Sequence, residues 1–225
     1  TTDAPSTESD SLPQAPVVLT AFDTARPALK DMSLTVLPEV GSAVISFYRE
    51  HPDFVWVKDG KPTEKAIAVR SSLAETGKFA LNPEDYVIDL PVTEGLEGEA
   101  LDAATMRFEM ELSAAVLTYV LDSRRGRVDP NRISEFHDLK RNPVDLGEAI
   151  DSLAGTVEVA DFIESYNPQN QFFQDLKAEL AELRSTETVV EPIVFTGSVF
   201  IRPGQSNQNV PSVVKAIERK ASPEF

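Results

Sequence analysis

Cysteine is absent from all 225 residues, and histidine occurs twice. Without a thiol there is no disulfide, no zinc–thiolate site and no cysteine nucleophile. With only His51 and His137, imidazole chemistry has two places to sit. Basic residues are also scarce: 21 Lys and Arg face 37 Asp and Glu, a net charge of −16. Such a surface repels phosphate backbones and anionic membrane surfaces, which argues against nucleic-acid binding and peripheral lipid attachment. No apolar run approaches the roughly 20 residues of a membrane span. Apolar residues still make up 41% of the chain, an ordinary globular proportion at a length that buries a real core.

Helical periodicity dominates what is present. Residues 1–37 read as a flexible leader. The first 16, mostly Thr, Ser, Asp and Pro, offer too little apolar surface to offset the entropy of ordering. Within the rest, Val17 to Leu19 could form a short strand. From Pro38 onward Val40, Val44, Phe47 and Tyr48 share one helical face. Phe54 to Val57 is an apolar run closed by the turn signal Asp59-Gly60. Thr63 caps the next helix, with Ala66, Val69 and Leu73 as its stripe and Gly77 as its stop. Asn82-Pro83 reads as a cap followed by Pro at the first helical position.

The spacing of Leu101, Thr105, Phe108, Leu112, Ala115 and Tyr119 predicts a long helix over about 100–124, a central strut stopped by Gly126. Glu109, one position along from Phe108, is expected on its exposed side. Two shorter helices follow, with Leu146, Ile150 and Leu153 on one and Val159, Phe162, Ile163 and Tyr166 on the other. Asn167-Pro168 repeats the cap signal before a helix carrying Phe173, Leu176, Leu180 and Leu183. Beyond Arg184 the texture changes: Ser185 to Thr188 reads as a linker, Ile193 to Ile201 as a strand, Arg202-Pro203-Gly204 as a turn, and Val210, Val213, Val214 and Ile217 as one more helix. The fold class is therefore mainly α: a helical domain over 38–184, then over 185–225 a linker and a partial α+β module.

The residues that could carry chemistry assemble into no reacting set. Glu135-Phe136-His137-Asp138 is the one local cluster of metal-like types, but two ligands from one short segment do not make a site. His51 precedes a proline at a helix-to-loop junction, a surface position. Glu94, Glu97, Glu99 and Asp102 gather where the long helix starts, and there acids complement the macrodipole. No nucleophile elbow accompanies the many serines. The expectation is no catalytic, cofactor-binding or metal residue and no bound cofactor. Trp56, Phe108, Tyr119, Phe162 and Phe173 are expected as core or interface anchors.

Several segments together resemble a known family. They are Phe47-Tyr48 with Phe54 to Trp56, then Gly77 and Leu81-Asn82-Pro83-Glu84-Asp85-Tyr86. Leu117-Thr118-Tyr119-Val120, Gly126-Arg127-Val128-Asp129-Pro130 and the helix from Pro168 to Arg184 complete the set. They resemble the helical scaffold domain of the large, multi-domain L,D-transpeptidases of Gram-negative bacteria. Ile201-Arg202-Pro203-Gly204 and Asn209-Val210-Pro211 are similar to the opening of that family's peptidoglycan-binding domain, which is cut short here.

The resemblance implies export to the periplasm with removal of a signal peptide, and a part in peptidoglycan cross-linking and cell-wall remodelling. Its partners would be the catalytic and peptidoglycan-binding domains of the parent transpeptidase, and peptidoglycan itself. Family members use a cysteine in a His-Gly-Cys-Arg-like signature, and this role maps onto no residue here. The chain is therefore expected to be a non-catalytic scaffold portion. The rival expectations are a free-standing periplasmic docking module and a cysteine-free wall hydrolase working through carboxylates.

Overall fold

The computed structural model describes residues 19–133, 136, 138–186, 193–196, 200, 204 and 207–220. Among them are eight α-helices: α1 Ala21–Ala25, α2 Pro38–Glu50, α3 Glu64–Ala74, α4 Gly98–Arg125, α5 Leu146–Gly155, α6 Val159–Ser165, α7 Gln171–Thr186 and α8 Val210–Lys220. One antiparallel hairpin joins β1 Val57–Lys58 to β2 Lys61–Pro62. The chain divides into two compact units, Thr1–Ala181 and Glu182–Phe225.

The first unit is built around α4. Its 28 residues make a rod about 42 Å long. Around it α1, α2, α3 and α5 all pack, and α2 also packs on α5 and α3 on α6. The apolar stripe is buried as its spacing requires: Phe108, Leu112, Ala115 and Tyr119 all lie inside. The burial extends well beyond that stripe. Met106, Met110, Val116, Leu117, Val120 and Leu121 are buried as well, so the second half of the helix is enclosed on most sides.

Local signals set the boundaries. The Thr63 hydroxyl accepts from the Ala66 amide at the start of α3, and Pro38 opens α2. Asp59 (φ 51°) and Gly60 (φ 71°) take the left-handed conformation of a tight hairpin turn. That turn lies over α4, for a Cβ on Gly60 would stand 3.4 Å from Leu101. Gly126 ends α4 at φ 79°, with its amide bonded to the Asp122 carbonyl at 2.9 Å.

Four expectations are corrected. The expected leader is not free over its described part, residues 19–37: Thr20 caps α1, and Phe22 and Ala25 are buried against the core. Phe22 stacks on Tyr48 at 5.2 Å, and that apolar burial outweighs the ordering cost. The strand over 17–19 is not formed at Leu19, while Val17 and Val18 lie outside the described residues. Gly77 does not stop α3; it sits inside a 3-10 turn, Thr76–Phe79, closed by Ala80 at φ 62°. Asn167 does not cap α7. Asn170 does, accepting from the Phe173 amide at 2.9 Å, while Asn167 is drawn into the core.

In the second unit α8 begins after Asn209, whose side chain is buried. Its amide reproduces one rung of strand pairing, accepting from the Thr196 N–H at 3.2 Å and donating to the Thr196 carbonyl at 2.9 Å. Residues 193–196 of the expected strand carry no strand pairing. The remainder of that segment, apart from Phe200, lies outside the described residues, as do Glu187 and Thr188 of the linker and Arg202-Pro203 of the turn, whereas Ser185 and Thr186 of the expected linker are the last residues of α7, their hydroxyls bonded to the Glu182 carbonyl.

Candidate functional site

Two polar clusters are built on α4, one midway and one at its C-terminal end. The middle cluster centres on Glu109, which is fully buried, with 0% of its surface exposed. Oε1 accepts from the Tyr48 hydroxyl at 2.6 Å and from the Val55 amide at 2.6 Å, and Oε2 accepts from the Trp56 amide at 3.0 Å. Four residues on, Ser113 projects from the same face. Its Oγ lies 2.8 Å from the Tyr48 hydroxyl and accepts from the Trp56 indole N–H at 2.8 Å. An indole N–H can only donate. With Glu109 ionised, the donors therefore run in one direction, from Trp56 to Ser113 to Tyr48 to the carboxylate. The carboxylate ties α2, α4 and the chain leading into β1 to one point.

Burial drives the Glu109 carboxyl up to about 7, against the pull of the Tyr48 phenol and the backbone N–H donors. The Tyr48 phenol is pushed well above its ordinary value by burial and by the Glu109 charge. A hydroxyl beside a buried carboxylate has the parts of a nucleophile and base. Yet Ser113 is only 1% exposed, so no substrate carbonyl reaches it. The arrangement serves to hold chain segments together.

The C-terminal cluster gathers three of the segments quoted for the family resemblance, those of Asp85-Tyr86, Tyr119 and Arg127 to Asp129. The Tyr86 hydroxyl donates to Asp122 at 2.8 Å, and the Tyr86 ring meets Tyr119 edge-on at 5.7 Å. Asn167 donates to the Tyr119 hydroxyl at 2.6 Å. Arg127 pairs with Asp85, and Arg125 reaches back to Glu39 on α2, with one contact at 3.0 Å. Arg141 donates to the Gly126 carbonyl at 2.5 Å and stands 3.6 Å from Asp129. Burial raises both the Tyr86 phenol and the Asp122 carboxyl. The Arg125 guanidinium holds Glu39 below the usual carboxylate range, with partial burial opposing it.

The residues weighed for chemistry fall elsewhere. His51 caps the end of α2, half exposed, with Nδ1 3.8 Å from Asp151. His137 and Glu135 lie outside the described residues, while Phe136 and Asp138 beside them are exposed. Glu94, Glu97 and Glu99 face solvent where α4 begins. No group of three His, Cys, Asp or Glu among the described residues could hold a metal ion. None of their helices is long and apolar enough to cross a membrane. Of the expected anchors, Trp56, Phe108 and Tyr119 are buried, and Phe162 and Phe173 pack half-buried against the core.

Glu109 and Ser113 are the residues that sequence reasoning misses, and Glu109 is a correction, since its position beside Phe108 predicts exposure. A signal is present. Ser113 to Leu121 runs nine residues without a charge, which requires a helix enclosed on all sides, and Glu109 sits one turn upstream of it.

A family model described as Scaffold domain matches residues 42–180, a span that contains most of both clusters and most of the first unit. No curated protein and no solved structure matches the chain.

Proposed function

The chain belongs to the Scaffold domain family, and from this premise we propose that it is the positional, non-catalytic portion of a periplasmic L,D-transpeptidase. In this role its helical body orients a cysteine-bearing catalytic domain and a wall-binding module during peptidoglycan cross-linking. The observation that carries the reading is the family match across 42–180. The quoted segments agree with it: Asp85 and Tyr86 meet Arg127, Asp122 and Tyr119 at one end of α4. Acyl transfer in such enzymes runs through a thiolate, and the chain has no cysteine.

The test uses the purified chain, tetrapeptide muropeptides and a separately produced cysteine-bearing L,D-transpeptidase domain, with cross-linked dimers counted by mass spectrometry. The chain alone should yield none above a no-protein control, and its addition should raise the rate of the catalytic domain. Cross-linked or cleaved muropeptides from the chain alone overturn the reading, as does a catalytic domain indifferent to it.

One observation favours a second reading, a free-standing docking module. On α7, Phe172 and Leu176 lie four residues apart, 73% and 53% exposed. Capture of a periplasmic protein other than a transpeptidase domain, lost on Phe172→Ser with Leu176→Ser, would select it.

A further inference from the structure

A groove of about 410 Å³ opens beside α2 in the first unit. Its floor and walls are Phe22, Met32, Leu34, Val44, Tyr48 and Met110, drawn from α1, the segment after it, α2 and α4. The charged residues that line it are Arg26 and Arg49. In a chain with 37 acids and 21 bases, a concavity lined by arginines and no acid is against the composition. Arg26 is engaged, donating to Asp23 at 2.7 Å and lying over the Phe22 ring at 5.4 Å. Arg49 is exposed and has no ion-pair partner among the described residues.

Gly41 lines the groove as well. It lies inside α2 with ordinary helical geometry, where glycine is less favourable than alanine. A Cβ there would meet Val36 at 3.6 Å, an ordinary contact, so a side chain larger than that of alanine is needed to fill the space.

We propose that this groove binds a single-chain anionic amphiphile, a fatty carboxylate whose alkyl chain lies between α2 and residues 32–36 and whose head pairs with Arg49. The size is that of a small-molecule site, which spans about 300–1,000 Å³. A protein partner would need roughly 800 Å² on each side, more than the groove presents. The apolar walls take the methylenes of the chain out of water, and the free guanidinium supplies a charge-assisted hydrogen bond at the mouth.

Isothermal titration calorimetry with decanoate, and with decan-1-ol as its uncharged counterpart, tests this on the full chain. The wild type should bind decanoate saturably at one site. Arg49→Glu, at an exposed position, should weaken decanoate about tenfold, the loss of one charge-assisted bond, and leave decan-1-ol unchanged. Gly41→Leu should abolish both while the circular dichroism spectrum stays native. Absent or unsaturable binding to the wild type overturns the proposal, as does decanoate binding indifferent to Arg49→Glu or to a folded Gly41→Leu. A chain that sediments as a dimer until Gly41→Leu separates it gives the groove to a second copy, and overturns it equally.

Discussion

The two polar clusters on α4 use the same kinds of side chain, tyrosine, carboxylate and a hydrogen-bonding neighbour, yet they stand in opposite surroundings. Around Glu109 the partners are backbone amides, a phenol and, through Ser113, an indole, all buried or nearly so. Around Arg125 and Arg127 the partners are carboxylates open to solvent: the Glu39 side chain is 46% exposed, and the Arg127 side chain is 52% exposed with its partner Asp85 at 28%. Charge in the first place is costly to bury and costly to orphan; in the second it is screened and replaceable. The contrast teaches that a scaffold helix draws its rigidity from the cluster with no formal ion pair.

The largest effect is expected at the middle cluster. Glu109→Ala leaves two amides and a phenol without their acceptor, at roughly 1–3 kcal/mol for each buried donor. Urea denaturation at pH 5 should show a loss of about 3–5 kcal/mol, similar to that of Phe108→Ala beside it, for which a cavity costs about 3–5 kcal/mol. A Glu109→Ala loss below about 0.5 kcal/mol, the size of a surface substitution, would erase the contrast.

The pH dependence comes next. The Glu109 carboxyl titrates at about 7 in the folded protein against an ordinary value of 4.5. Between those values the folded state holds a proton that the unfolded chain has lost. The resulting stability is full below about 4.5 and lost as pH rises through 7, on the order of 3 kcal/mol in all. Denaturation of the wild type against Glu109→Gln across pH 4–8 should show this slope only in the wild type. The loss on Glu109→Ala should accordingly be smaller at pH 8 than at pH 5. Equal slopes would place the carboxyl outside the core.

Smaller effects belong to the end of the helix. Asn167→Ala removes the donor to the Tyr119 hydroxyl but leaves that hydroxyl donating to the Ile163 carbonyl at 3.3 Å. A loss of about 1–2 kcal/mol follows, read by thermal denaturation. Arg127→Ala should cost less than about 1 kcal/mol, and what it costs should shrink in high salt. A loss at Arg127 equal to that at Glu109 would mean that both clusters bear the same load.

The same contrast explains what is legible in the sequence. The boundaries of α2 and α4, the start of α3 with its Thr63 cap, and the turn at Asp59-Gly60 follow from periodicity and short-range turn chemistry, which act over a few residues. The buried role of Glu109 does not follow. A glutamate one position from a core phenylalanine is indistinguishable from a solvated one until Tyr48 and Trp56, 61 and 53 residues away in the chain, arrive with their donors. Asn167 is misread for the same reason: a cap is the local use of an asparagine, and the Tyr119 hydroxyl 48 residues away outcompetes it. Phe22 and Ala25 lie in a segment too short to show a period, and their burial depends on distant partners, the rings of Tyr48 and Phe54 and the flank of α4.

The central claim is that a buried carboxylate on α4 fastens the irregular segment ahead of β1 to the strut. Amide hydrogen exchange at Val55 and Trp56 tests it most directly, because both N–H groups donate to Glu109 from outside any helix and ahead of the hairpin pairing. Both should exchange as slowly as the core amides of α4, through global unfolding alone, and should lose that protection in Glu109→Ala. Exchange at the rate of an open loop in the wild type would contradict the account.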